Sequence, residues 1–365
     1  MKTISETIGG AQGLFDKCFD LQQCFEERLT DTHKTFLHVI RVLEEVQKPL
    51  LRPYAGRGRK PLPYTPFIRS MWAKCVFGID KDSNLRTRLK SDPNLKLLCG
   101  FDKVPGKASF SRIFSFLAST NTSEETLDAL VAKAHKGLVV YHVSRDSTAI
   151  QAREKRGNKK KVKKEKYKPG RPKKGEIREN KRKNPHLLKH QVQQTVEESL
   201  AAIPKNSSYG RKDNRRGSTM YWHGYKLHLD VSDTGFPLSA FVSSASVADC
   251  HAAIILEKMT ERKVQFCYSL MDSAYDAAVI REFIESRGRV PIIKASNRWK
   301  NHLPMDPAKQ ERYKIRIYAE RAYSYLKENL IPKNIYVKGH QKVSFVLMSA
   351  VLCLAALRTI QYFIL

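Results

Sequence analysis

The pattern of apolar and polar positions divides the chain into a helical first part and an α/β second part. Residues 1–138 keep apolar side chains at helical spacing, as at Phe36, Val39 and Ile40, which predicts an all-α N-terminal region. Beyond this region the pattern changes to short β-rich runs that alternate with amphipathic helical segments. We therefore predict a helical region over 1–138 and an α/β domain over 139–365.

The α/β domain has an order of predicted elements that is typical of one kind of sheet. Strands are predicted at 138–143, 226–231, 237–242, 264–270 and 290–293. Helices are predicted at 249–259, 277–287 and 313–327. Three antiparallel strands followed by parallel strands with crossover helices make a ribonuclease-H-like mixed sheet. In this topology the first and fourth strands are neighbours, and the last helix packs across their ends.

Three carboxylates occupy notable positions on this predicted sheet. Asp146 ends the first strand, Asp272 ends the fourth, and Glu320 lies on the last helix. We expect them to converge across separations of 126 and 48 residues. Together they would hold two divalent ions about 3.5–4 Å apart for displacement at a phosphodiester. Mg²⁺ suits such an all-oxygen site, with Mn²⁺ as the alternative. Asp230, on the polar side of an alternating strand where it could be exposed, is the less favoured rival for the first carboxylate.

The last predicted helix gathers polar and charged side chains on one side. At about 100° per residue, Tyr313, Arg316, Glu320 and Lys327 fall within an arc of roughly 60°. A metal-binding acid beside two cations and a phenol suits phosphodiester chemistry. A solvated face with an i,i+4 pair between Arg316 and Glu320 accounts for the same stripe about equally well.

The charge of the chain points to a polyanionic partner. The sequence contains 66 Lys and Arg against 36 Asp and Glu, a net charge of +30. Such a surplus favours nucleic acid, and less often a membrane surface. Residues 151–190 hold 18 Lys and Arg against 4 Glu, a net charge of +14. This run repels itself, and we expect it to be disordered without a partner.

Two further features are candidates for DNA contact. The segment 168–174, Lys-Pro-Gly-Arg-Pro-Lys-Lys, is similar to the core of an AT-hook, which makes Arg171, Lys173 and Lys174 candidates for the minor groove. Plain phosphate binding is the default for so basic a background. Trp299 could stack on a displaced base, although a packed core tryptophan is the favoured alternative.

Cysteine usage and apolar runs indicate the compartment. The seven cysteines are an odd number and form no Cys-x-x-Cys, which favours a reducing cytosol over a disulfide framework or a zinc module. The N-terminus lacks the apolar core of a signal peptide. The uncharged run 343–357 has 15 residues, short of the roughly 20 that a membrane span needs, and predicts a buried helix. We expect a cytoplasmic protein with no membrane partner.

Three motifs together resemble those of a known family. The pattern Tyr-x2-Arg-x3-Glu-x6-Lys, which begins at Tyr313, resembles the Tyr-Arg-Glu-Lys signature of prokaryotic insertion-sequence transposases with an Asp-Asp-Glu triad. Asp146-Ser-Thr is similar to the first Asp motif of that family, and Asp272-Ser-Ala-Tyr-Asp to the second. The similarity extends loosely over residues 90–365.

The resemblance implies a metal-dependent enzyme that binds the terminal inverted repeats of an insertion sequence, cleaves the ends by hydrolysis and joins the 3′-hydroxyl ends to target DNA. Its partner would be double-stranded DNA, bound by a homodimer in a synaptic complex at the cytoplasmic nucleoid. The residues that the resemblance assigns are the metal ligands Asp146, Asp272 and Glu320, and the phosphate contacts Tyr313, Arg316 and Lys327.

The resemblance also assigns a task to the remaining parts of the chain. Residues 1–138 would recognise the DNA ends, and a Lys-rich insertion over 151–220 follows the first strand. Some relatives carry their insertion before the Glu helix instead. Two alternatives stay open, a DNA-binding regulator without catalysis and a structure-specific nuclease of the same fold.

Overall fold

The computed structural model describes residues 28–50, 56, 61–154, 188–213, 218–295 and 304–364. Four of the candidate DNA contacts, Arg171, Lys173, Lys174 and Trp299, lie outside these residues. Most of the basic run over 151–190 lies outside them as well.

The first part of the described chain consists of helices with clear end signals. They are α1 (Asp31–Glu44), α2 (Thr65–Val76), α3 (Asp82–Ser91), α4 (Pro93–Cys99), α5 (Lys107–Leu117) and α6 (Thr122–Ala134). The Thr30 side chain accepts the backbone N–H of His33 and so caps α1. Asp92 caps α4 in the same way, and Gly100, whose φ of 82° suits glycine, caps the other end of α4.

The second part is built on one mixed sheet. Its strands are β1 (Val139–Gln151), β2 (Ser208–Asp213), β3 (Thr219–Ser232), β4 (Pro237–Ser244), β5 (Gln265–Met271) and β6 (Val290–Ile293). β3 is antiparallel to β1 on one side, and to β2 and β4 on the other. β5 is parallel to both β1 and β6. This mixed sheet is consistent with a ribonuclease-H-like domain, and the predicted pairing of the first and fourth strands is the β1–β5 pair.

Helices cover both faces of the sheet. They are α7 (Leu188–Gln193), α8 (Val196–Ala202), α9 (Cys250–Glu261), α10 (Ala278–Ser286), α11 (Pro307–Tyr313), α12 (Ile317–Tyr325) and α13 (His340–Thr359). Successive residues of a strand point to opposite faces. We therefore name the two faces after neighbouring residues of β1, the Arg145 face, which α9 covers, and the Asp146 face, which α12 covers.

Helix α13 joins the two parts of the fold. It packs against α1, α2 and α6 as well as β4, and one hydrophobic core runs through all of them. Its buried side chains extend from Val343 to Thr359, which confirms the buried helix predicted at 343–357. By length and composition the helix over 340–362 could cross a membrane, yet 78% of its most apolar stretch is buried inside the fold.

Two sequence-based predictions of local structure are wrong, and three elements were not predicted. Asp146 does not end β1, because pairing with β3 carries the strand on to Gln151 while pairing with β5 stops at Ser144. The three elements that were not predicted are α7, α8 and β2, which lie within the Lys-rich insertion over 151–220. The segment 313–327 is not one α-helix, because a 3₁₀ turn over Lys314–Arg316 precedes α12 and a π turn over Leu326–Leu330 follows it. A uniform 100° per residue therefore does not hold along it.

Candidate active site

The register of the sheet brings the two predicted aspartates level with each other. Ser144 of β1 lies beside Leu270 of β5 in the last pair that these parallel strands form. Asp146 and Asp272 each follow two residues later, Asp146 in the part of β1 that pairs only with β3 and Asp272 directly after the end of β5. The negative charge of Asp272 acts on the Asp146 carboxyl and raises its pKa, which agrees with this proximity.

Arg316 links the first and third predicted acids. Its Nη2 donates to Oδ2 of Asp146 at 2.7 Å, and its Nη1 donates to Oε1 of Glu320 at 3.1 Å. The i,i+4 pair between Arg316 and Glu320 is therefore present, but the same guanidinium also reaches the sheet. The Arg316 side chain is 11% exposed. Its Nε is buried and has no hydrogen-bond partner among the described residues.

Electrostatics at Asp146 favour the arrival of a cation. The pKa of its carboxyl is raised to about 6, mainly by burial and also by the charges of Asp272 and Asp249, whereas the charge of Arg316 opposes the rise. The backbone N–H of Ser147 donates to Oδ1 of Asp146 at 2.8 Å and also lowers this pKa. The Asp146 carboxyl is costly to ionise even though it contacts a guanidinium group. A further positive charge nearby would therefore stabilise its ionised form.

The other two residues of the signature lie near this cluster. Burial raises the pKa of the Tyr313 phenol, and the positive charge of Arg316 opposes that rise. Burial lowers the pKa of the Lys327 ammonium, as does the charge of Lys212, whereas Asp146 raises it. Both side chains thus lie within electrostatic reach of the groups around Asp146.

Sequence reasoning missed several residues that surround Asp146. The Tyr323 hydroxyl donates to the backbone carbonyl of Asp146, and Tyr323 is buried. Its position two turns after Arg316 is a signal that could have found it. Tyr275, within the second Asp motif, is fully buried, and its hydroxyl has no hydrogen-bond partner among the described residues. The Asp249 carboxylate forms an ion pair with the Lys226 ammonium at 2.8 Å, and no local sequence pattern indicates Asp249 as a site residue.

Asp230 is not a rival for the first carboxylate. Its alternating position left exposure open, but the side chain is fully buried. In the β1–β3 register it lies opposite Arg145, whereas Asp146 lies opposite Leu229, so the two aspartates belong to different faces. The Arg145 guanidinium donates to both Asp230 oxygens at 2.7 Å, and the Thr260 hydroxyl donates at 2.7 Å. A carboxylate satisfied in this way is not available to a metal ion.

The chemistry of the donor set fits a divalent cation. Among the residues that the structure describes, no three His, Cys, Asp or Glu side chains form a ready-made metal cluster. Asp146, Asp272 and Glu320 offer oxygen donors only, as Mg²⁺ and Mn²⁺ prefer. Glu320 is 61% exposed, and Asp272 accepts the backbone N–H of Ala274 at 2.9 Å. Glu320 can therefore be approached from solvent, and Asp272 is half-buried.

Comparison with known families matches both parts of the chain. Residues 190–355 match the family described as Transposase DDE domain, and residues 23–115 match the family described as Transposase domain (DUF772). Asp272 and Glu320 lie inside the first range, and Asp146 precedes it. No curated protein and no solved structure matches the chain. Together the two family matches support an insertion-sequence transposase, and thus a DNA transposase in general.

Proposed function

We propose that this protein is a metal-dependent transposase of the Tyr-Arg-Glu-Lys group, which cleaves the ends of an insertion sequence and joins the 3′-hydroxyl ends to target DNA. One observation carries the proposal. Arg316 bonds both Asp146 and Glu320, so the signature segment and the first Asp motif, 170 residues apart in sequence, form one cluster beside Asp272.

The three acids have the role of metal ligands in this proposal. Asp146, Asp272 and Glu320 would hold Mg²⁺, or Mn²⁺ in its place. When bound, such ions supply activation of the attacking oxygen and neutralise charge on the phosphoryl group. The burial of Asp146 and the nearby charge of Asp272 support this role, because they leave negative charge in need of a counter-ion.

Arg316 and its neighbours have the role of binding the phosphate. The Arg316 guanidinium is planar and can contact two oxygens at once, and its Nε lacks a partner among the described residues. Tyr313 and Lys327 add a phenol and an ammonium to the same region. Lys327 would act as a point charge on a flexible stem, so we assign it the smaller share of the phosphate contact.

The same residues would serve cleavage and joining. Hydrolysis at the element end uses water as the nucleophile, and strand joining uses the freed 3′-hydroxyl. Both are in-line displacements at phosphorus, so the acids need not be rearranged between them.

The rest of the chain supplies DNA contact in this proposal. The helical region over 1–138 would recognise the terminal repeats, and the match of residues 23–115 to a transposase domain supports this. The net charge of +30 supports double-stranded DNA as the partner. We propose that the active form is a homodimer in a synaptic complex at the cytoplasmic nucleoid.

The test is end cleavage and joining in Mg²⁺, with terminal repeats taken from the DNA that flanks the gene and a plasmid as target. We expect Asp146→Ala, Asp272→Ala and Glu320→Ala each to abolish cleavage while DNA binding stays nearly unchanged, because affinity comes mainly from the basic surface. Glu328→Ala is the matched control, since this exposed glutamate follows α12 and bonds only to Ser324 among the described residues.

The outcomes separate the alternatives. Cleavage without joining by the wild-type protein would indicate a nuclease of the same fold. Binding without cleavage would indicate a regulator. Near-normal cleavage by any of the three alanine variants would remove that acid from the site.

A further inference from the structure

A two-stranded ribbon at the edge of the sheet is not used by the proposed chemistry. It consists of β2 and the first half of β3, in which Tyr209 lies opposite His223 and Arg211 lies opposite Tyr221. Partners in an antiparallel pair share a face, and alternate residues along a strand do so too. These four residues therefore form one face of the ribbon, which we call the tyrosine face.

The two tyrosines of this face are exposed to solvent. Tyr221 is 64% exposed and Tyr209 is 57% exposed, and the Tyr209 ring makes an edge contact with His223 at 4.9 Å. Large apolar rings exposed side by side are a feature of binding surfaces. A ring held in place on a strand loses little entropy when a ligand stacks on it.

The opposite face of the ribbon is packed at Trp222, which fixes the orientation of the tyrosine face. Trp222 is 8% exposed and lies over Gly210, where an added Cβ would come within 2.3 Å of its ring. The Trp222 indole N–H donates to the carbonyl of Tyr225 at 3.2 Å. The ribbon therefore cannot turn its tyrosines inward without losing this packing.

The ribbon is positively charged and close to the candidate active site. Arg211 and Lys212 are both exposed. β3 continues from Tyr221 to Leu229, which lies opposite Asp146, and alternate residues of a strand share a face, so the tyrosine face continues the Asp146 face. Lys212 lies opposite Met220 on the other face; burial lowers the pKa of Lys327, and the charge of Lys212 lowers it further. A polyanion bound at the acids would thus pass near the ribbon.

We infer that the tyrosine face binds an unpaired strand of DNA next to the cleavage site, with Tyr221 and Tyr209 stacking on its bases and Arg211 near its phosphates. The inference rests on the proposed function, which makes DNA the substrate. An unpaired strand is favoured over an intact duplex because only splayed bases offer their faces to an aromatic ring. A second copy of the chain is disfavoured, because cations on an edge strand oppose pairing with another strand.

The experiment measures the affinity of the full chain for a duplex with a single-stranded 3′ tail and for the same duplex with blunt ends, without divalent metal. We expect Tyr221→Ala and Tyr209→Ala each to lose about tenfold in affinity for the tailed duplex, the size that base stacking gives on alanine substitution. Tyr221→Phe should keep the affinity, because phenylalanine retains the stacking face. A 2-aminopurine in the tail should be quenched by the wild-type protein and less by Tyr221→Ala.

Met220→Ala is the matched control, since Met220 precedes Tyr221 on the same strand, points to the other face and is 46% exposed. We expect it to bind both duplexes as the wild type does. Equal losses by the tyrosine variants on tailed and blunt DNA would overturn the inference. So would unchanged DNA affinity with a shift in oligomeric state on sedimentation, which would make the face a contact between copies.

Failure of this inference is distinguishable from failure of the proposed function. The binding assay needs no cleavage, so a wild-type protein that does not cleave element ends can still give the expected tyrosine effects. A wild type that cleaves and joins ends while both tyrosine variants bind tailed DNA normally would overturn the inference alone.

Discussion

Two arginine–carboxylate clusters lie on opposite faces of β1, one built on Arg145 and the other on its neighbour Asp146. They differ in how completely their charges are matched. Arg145 is 1% exposed and contacts Asp230 and Glu257, each with a fully buried side chain. Arg316 is 11% exposed and contacts Asp146, which is 24% exposed, and Glu320, which is 61% exposed. The same pair of chemical groups therefore occurs once in the core and once at the surface of one sheet.

The cluster on the Arg145 face is satisfied by protein groups alone. Arg145 bonds to both oxygens of Asp230, and Glu257 accepts from Arg145, Ser269 and Arg289 at 3.0–3.1 Å. These contacts tie β1, β3, β5 and α9 together. A buried network with every charge paired specifies one arrangement and leaves no vacant donor or acceptor for a ligand.

The cluster on the Asp146 face is incomplete. Arg316 Nε has no partner in the described part of the chain, and burial raises the pKa of Asp146 to about 6 despite the contact with Arg316. Groups that the protein leaves unmatched are available to substrate or metal. The candidate site therefore differs from a structural ion pair because the protein leaves one of its donors and one of its carboxylates incompletely matched.

Removing Arg145 should disrupt the buried cluster and lower the free energy of unfolding more than any other substitution proposed here. We expect Arg145→Met to lower the free energy of unfolding by about 3–5 kcal/mol, because Asp230 is left charged without its main partner. Arg316→Met is the matched variant on the other face, and we expect it to change stability by less than about 1 kcal/mol. Urea unfolding of both without divalent metal measures the difference. Similar losses from the two variants would contradict the contrast between the faces.

Removing Arg316 should affect activity more than stability. We expect Arg316→Ala to lower cleavage and joining together by about 10²–10³-fold, the usual loss when one donor to a developing charge is removed. Lys327→Ala should lose less, because neighbouring cations can partly replace a point charge. Titration of Mn²⁺ on a pre-nicked end substrate measures both. Full rescue of Arg316→Ala by excess metal would show that Arg316 only organises Glu320, against the phosphate contact proposed above.

Neutralising Asp146 should stabilise the metal-free protein. Its folded pKa of about 6 lies above the ordinary value of 3.8, so the folded state holds the proton more tightly and stability falls as the pH rises between these values. Asp146→Asn removes this penalty, and we expect a gain of up to about 3 kcal/mol above about pH 7 that disappears below about pH 4. Urea unfolding across pH in EDTA measures it.

Glu320→Gln is the control for that prediction. Its side chain is 61% exposed, and we expect a change within about 0.5 kcal/mol at every pH. A loss of stability in Asp146→Asn at neutral pH would mean that the ion pair with Arg316 outweighs the cost of burying the carboxylate.

Much of the fold could be predicted because its signals are local. The alternation of residues 226–231 identifies a strand, and the apolar run 343–357 identifies a buried helix, since each pattern reflects which side of one element meets the core. The extent of β1 could not be predicted in this way. It depends on how far β3 continues beside it, which is a contact between distant segments.

The sequence by itself determined which residues are candidates for chemistry. It contains the spacing of Asp146, Asp272 and Glu320 and the spacing of the signature residues. Only the tertiary structure decided which acids are available. The sheet register places Asp230 on the face that α9 covers, where Arg145 neutralises it. It places Asp146 on the opposite face, where Arg316 bonds to it while the Nε of Arg316 has no partner among the described residues. The physical reason is that a carboxylate's availability depends on burial and on partners far away in sequence, neither of which a local pattern contains.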